Sequence, residues 1–81
     1  MNRKKHVYEG KITFNITESH PDRKYVEDMS EKLTFTDIYT FEDIYSDDSA
    51  ISYIKNDLSI VAGGGYDNKH IINVSYDINK K

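Results

Sequence analysis

Two stretches of strict alternation, one near each end, constrain this chain more than any other feature. In VYEGKITFNIT, residues 7–17, Tyr8, Gly10, Ile12, Phe14 and Ile16 fall in one phase. Glu9, Lys11, Thr13, Asn15 and Thr17 fall in the other. In HIINVSYDIN, residues 70–79, His70, Ile72, Val74, Tyr76 and Ile78 alternate against Ile71, Asn73, Ser75, Asp77 and Asn79. A period of two in β-branched and aromatic residues marks a strand buried on one face. The residues between these strands must then supply what covers that face.

Helical signals lie in between. Ser19-His20-Pro21-Asp22 reads as a helix start, with Ser19 as cap and Pro21 in the first turn. Tyr25, Val26, Met29 and Leu33 follow at helical spacing, and Arg23–Glu27, Lys24–Asp28 and Asp28–Lys32 form i,i+4 pairs. These predict a helix over about 20–33. A second helix is expected over about 47–57. Ser46-Asp47-Asp48-Ser49 suit its first turn, and Ala50, Ile51, Ile54 and Leu58 recur along it. Leu58–Ala62 reads as a strand running into Gly63-Gly64-Gly65, and Asp67-Asn68 as a hairpin turn before the last strand.

Between the two helices stands TFTDIYTFEDIY, residues 34–45, the hexapeptide TF-x-DIY written twice. In a strand both copies stay in phase and show Phe-Asp-Tyr on one face. Helical copies would face about 120° apart. The expected compromise is a short strand near 34–39, a break at Thr40, and a helical turn capped by Thr40. The fold class is then α+β. One domain spans residues 1–81, with an antiparallel sheet of three to four strands against two helices in the order β-α-β-α-β-β. Val26, Met29, Leu33, Ile51 and Ile54 are the expected cover.

The 81 residues carry 37% hydrophobic and 31% charged residues, with ten isoleucines and ten aromatics for a core. There is no cysteine, so disulfides and thiolate metal sites are excluded. MNRKKHVYEGK has no apolar segment after its basic residues, and no run approaches the roughly 18 apolar residues of a membrane span. A cytoplasmic protein without a membrane partner is expected. Asn15-Ile-Thr17 and Asn73-Val-Ser75 match the glycosylation pattern, which has no use without secretion.

Chemistry is sparse. Gly63–Gly65 lacks the Gly-Lys-Ser/Thr that opens a phosphate-binding helix. His6, His20 and His70 have no metal-ligand spacing, so no metal or other cofactor is expected. No Gly-x-Ser-x-Gly elbow appears and no acid–base pair stands out, so no catalytic residue is assigned and an enzyme is not expected. The net charge is −3, and basic clusters, Arg3-Lys4-Lys5 and Lys80-Lys81, stand at the two ends. Direct nucleic-acid binding is therefore not expected.

Asp37 to Asp48 holds five carboxylates and no lysine or arginine. Tyr39, Tyr45 and Tyr53 stand among them. Tyrosine gives large contact area at low entropic cost, and carboxylates steer a basic partner. The candidate partner-binding residues are Asp37, Tyr39, Glu42, Asp43, Tyr45, Asp47 and Asp48. The expected partner is a larger basic protein, such as one that binds nucleic acid, whose surface the acidic face would occlude. Small acidic inhibitors encoded by phages and mobile elements act in this manner. Two rival readings are a nucleotide- or anion-sequestering protein that uses Gly63, Gly64, Gly65 and His70, and a structural subunit that self-assembles into a homo-oligomer through a sheet edge.

Overall fold

A computed structural model describes residues 5–64 and 68–81. Both alternating stretches form strands: β1 spans Lys5–Ile16 and β3 spans Ile71–Lys80. β2 spans Leu33–Glu42, and one long helix, α1, spans Asp47–Ala62. Short 3₁₀ turns occupy Arg23–Tyr25 and Asn68–His70. The sheet is antiparallel in the order β2-β1-β3. β2 and β3 both run opposite to β1, so α1 must cross over β1 to join them. Among the described residues no helix is long and apolar enough to cross a membrane.

The even phase of β1 faces α1. Tyr8, Ile12, Phe14 and Ile16 are buried there against Ala50, Ile54, Leu58 and Ala62. The four helix residues recur every four positions, which draws one stripe along the helix. Fully burying each large aliphatic side chain contributes about 1.5–3 kcal/mol. Gly10 sits in the middle of this contact. A Cβ there would stand 2.7 Å from Ile54 Cγ2, 3.2 Å from Leu58 Cδ1 and 3.3 Å from Tyr39 Cε2. The helix lies this close because β1 has no side chain at that point.

Four sequence expectations need correction. The helix over 20–33 is absent, and only the turn Arg23–Tyr25 is helical. Asp28 Oδ1 accepts from Ser30 N and Ser30 Oγ, and Asn15 Nδ2 donates to the carbonyls of Met29 and Glu31. Side-chain bonds of this kind compete with the helical ladder. Weak i,i+4 pairs do not outweigh them. Val26 and Leu33 still pack against the core, the second from the start of β2.

The strand expected at Leu58–Ala62 is instead the last turn of α1, as Leu58, Ser59 and Ala62 continue the buried stripe. Gly63 N closes it by donating to Ser59 O at 2.9 Å. No hairpin joins 58–62 to β3. Asp67 lies outside the described residues, and Asn68 begins a 3₁₀ turn. The break at Thr40 is also absent. β2 runs on to Glu42, and Ser46 caps α1 by accepting from Ser49 N.

The fourth correction concerns the phase of β3. The pairing slips between Thr13 and Asn15, with Thr13 opposite Ser75 and Asn15 opposite Ile72. Asn73 takes φ 55°, a conformation asparagine tolerates better than most residues. The extra residue turns Ile71 inward, 5% exposed, and Ile72 outward, 49% exposed. The described residues thus form a three-stranded antiparallel sheet with one α-helix.

Gly10→Ala is expected to lower stability by about 1–3 kcal/mol through overpacking. At about 4–8 °C per kcal/mol, thermal unfolding followed by circular dichroism reads this directly. An unchanged midpoint would mean that α1 does not rest on this strand.

Candidate functional site

The doubled hexapeptide builds the junction between β2 and α1. Phe35, Asp37, Tyr39 and Phe41 lie opposite Ile12, Gly10, Tyr8 and His6, so they share the helix-facing side of the sheet. Thr34, Thr36, Ile38, Thr40 and Glu42 take the other face. The first copy lies wholly in β2, and the second leaves it after Glu42. That departure swings Tyr45 back towards Phe41.

Phe41 is the hub of an aromatic cluster. Its ring centroid lies 5.7 Å from Tyr8, 6.5 Å from Tyr39, 6.2 Å from Tyr45 and 5.6 Å from Tyr53. The Tyr8, Tyr45 and Tyr53 contacts are edge-to-face, the arrangement favoured by ring quadrupoles. Tyr8 is only 2% exposed, whereas Tyr45 and Tyr53 are 53% and 58% exposed. Between them opens a groove of about 540 Å³, lined by Thr40, Phe41, Glu42, Tyr45, Ser49, Ala50 and Tyr53.

Several of the candidate carboxylates serve the fold. Asp47 Oδ1 accepts from the Tyr8 hydroxyl and from Lys80 Nζ at 3.0 Å. These bonds hold the Asp47 carboxyl below the ordinary carboxylate range, first through Tyr8 and then through Lys80. The same bond pushes the Tyr8 phenol from 10.0 up to about 12. Asp43 Oδ1 lies 2.5 Å from His6 Nε2. Tyr39 donates to Asp57 Oδ2 at 2.6 Å, and its phenol is raised first by burial and then by that carboxylate. Asp48 is exposed in the first turn of α1 and has no side-chain partner among the described residues.

The structure therefore gathers Glu42, Asp43, Tyr45, Asp47 and Asp48 at one end of the sheet. Tyr39 is half-buried beside them. Asp37 is five residues back along β2, about 17 Å from Glu42 at the usual strand rise. Tyr53, Phe41 and Asp57 join the site although the candidate residues named from the sequence omit them. Tyr53 had a readable signal, because it stands three residues past Ala50 on the helix face next to the buried stripe.

The glycine segment has a different setting. Gly63 caps the C-terminus of α1, and Gly64 takes φ 83°, where a Cβ would stand 2.8 Å from Pro21 Cγ. Gly65 lies outside the described residues. The C-terminal end of a helix carries its partial negative charge, which does not attract an anion. His70 Nδ1 lies 2.8 Å from Ser19 Oγ, and His20 is buried with Nε2 donating to Ala62 O and Nδ1 accepting from Asp22 N. Among the described residues no group of three His, Cys, Asp or Glu side chains could hold a metal ion.

The raised phenols set an alkaline limit. The unfolded chain releases these protons near pH 10, whereas folded Tyr8 holds its own to about 12. Stability present below pH 10 is thus lost as the pH rises towards 12. Tyrosinate absorbance is expected to show two late phenols that titrate together with unfolding, and one fewer in Tyr8→Phe. Asp47→Ala strips the acceptor from the Tyr8 hydroxyl and is expected to lower the denaturant midpoint, while Asp48→Ala leaves it nearly unchanged. The chain matches no protein-family model, no curated protein and no solved structure, so its function rests on its own residues.

Proposed function

We propose that this protein is a non-enzymatic binding protein that occludes a basic surface of a larger protein through the groove between β2 and α1. The observation that carries this reading is the half-exposure of Tyr45 and Tyr53 around the wall formed by Phe41. Exposed aromatic rings with fixed neighbours fit an anchoring role, because they offer contact area that is already ordered.

The charge at the rim selects the partner. Asp48 stands at the N-terminus of α1, and Asp43 and Asp47 lie beside it with side chains more than half exposed. Lys80 offsets part of this charge, and the remainder gives a field that speeds encounter with a cationic surface. Lysine or arginine from such a surface can lie over the faces of Tyr45 and Tyr53, which adds a cation–π contribution. A surface that ordinarily binds nucleic acid meets both requirements. The acidic residues that also hold the fold, Asp43 and Asp47, are poor sites for testing this, and the tyrosines are good ones.

Tyr45→Ala combined with Tyr53→Ala is expected to weaken partner binding by about 30-fold or more, the scale of a hot-spot loss. The measurement is capture on immobilised protein, identification of the captured chain, and titration of that purified partner against both forms. Added nucleic acid should compete with the wild-type complex. Equal affinity for the two forms, or a captured partner that is acidic, would overturn the groove as the interface.

A further inference from the structure

We propose that the groove is one end of a longer site in which the open edge of β2 takes an extended, lysine-bearing strand of the partner. The inference rests on the groove reading above, since the acids at the groove rim and those of β2 call for the same cationic partner. It adds how the partner is held.

The alternation of the ladder shows which groups are offered. Val7 O accepts from Lys81 N and Thr17 N donates to His70 O, so the odd residues of β1 turn their backbone groups towards β3. The even residues of β1 therefore serve β2, where they stand opposite Leu33, Phe35, Asp37 and Tyr39. Thr34, Thr36, Ile38 and Thr40 are left with backbone groups that point away from the sheet. Ile38 confirms this directly, because its N–H donates to its neighbour's carboxylate, Asp37 Oδ1, at 2.8 Å and not to β1.

Apart from its acids, Asp37 and Glu42, this edge lacks the usual guards against pairing. β2 contains no proline, lysine, glycine or bulge over its 10 residues. The opposite edge, β3, is bent by its bulge at Asn73 and carries Lys80. Ile38, on the outer face of β2, is 54% exposed. The edge also runs directly into the groove, for Thr40, Phe41 and Glu42 line both.

Charge decides the occupant. β2 holds Asp37 and Glu42 and no cation, so a second copy of β2 would bring like charges to the same edge. A strand with lysine at every second position fits better. Lysines on the helix side would meet Asp37 and the faces of Phe41 and Tyr53, and apolar residues on the other side would meet Ile38. The incoming backbone would replace Asp37 at Ile38 N–H and release that carboxylate for a lysine.

An alternating Lys-Val octapeptide tests this in an amide NMR titration of the full chain. The expected result is shifts and slowed hydrogen exchange at Thr36, Ile38 and Thr40, together with shifts at Tyr45 and Tyr53. A peptide of the same charge N-methylated at alternate positions lacks the backbone donors and should bind at least about tenfold more weakly. Equal binding of the two peptides, with changes confined to the groove, overturns strand addition and leaves the groove intact. No response to either peptide also overturns it, and the groove then stands or falls on the tyrosine variants. Shifts at the same three amides on raising protein concentration without peptide would assign the edge to a second copy instead.

Discussion

The close approach of α1 to β1 at Gly10 is the contact on which the rest of the molecule depends. A chain of 81 residues has material for one core. Here that core is a single helix stripe, Ala50, Ile54, Leu58 and Ala62, laid on one face of the central strand. The missing side chain at Gly10 lets Ile54 and Leu58 seat against the backbone. It also brings α1 near enough to β2 for Tyr39 to reach Asp57. With one helix over three strands, every other feature is placed by that seat.

The position of α1 also explains why the molecule has an asymmetric surface. The helix begins at the end of β2, so its N-terminal turn, the aromatic cluster and the final carboxylates of the doubled hexapeptide converge. Some of these acids are consumed internally. Asp47 bridges the buried Tyr8 hydroxyl and Lys80, and thereby ties β1, α1 and β3 together at one end. Others face solvent around Tyr45 and Tyr53. The same short stretch therefore braces the fold and supplies the surface proposed for a partner. This is a common economy in small domains, where few residues are spare.

The repeat itself has a physical use once it is placed. Six residues keep two copies in phase along a strand, so Phe35, Asp37, Tyr39 and Phe41 line one side of β2. Had the strand continued, the second copy would have set another Asp and Tyr beyond Phe41. The chain turns instead after Glu42, with Tyr45 N bonded to Glu42 O. Tyr45 then folds back over Phe41, and the groove forms between repeat and helix.

The sequence by itself determined the first and last strands, the Ala50, Ile54 and Leu58 part of the α1 stripe and the acidic, tyrosine-bearing character of residues 37–53. Those properties repeat with a local period, and local periods are visible in a linear chain. It also contained the 50-54-58-62 spacing that carries α1 through Ala62, although Leu58–Ala62 read as a strand. Only the tertiary structure decided the rest. Asn15 takes the carbonyls of Met29 and Glu31 across a distance that no local pattern reports, and residues 20–33 lose their helix. Asn73 turns Ile71 in and Ile72 out because β3 must keep register with β1 on both sides of a bulge. Phe41 becomes a hub only because α1 brings Tyr53 to it. Each of these is a contact between residues far apart in the chain, and its energy exists only once the chain has closed.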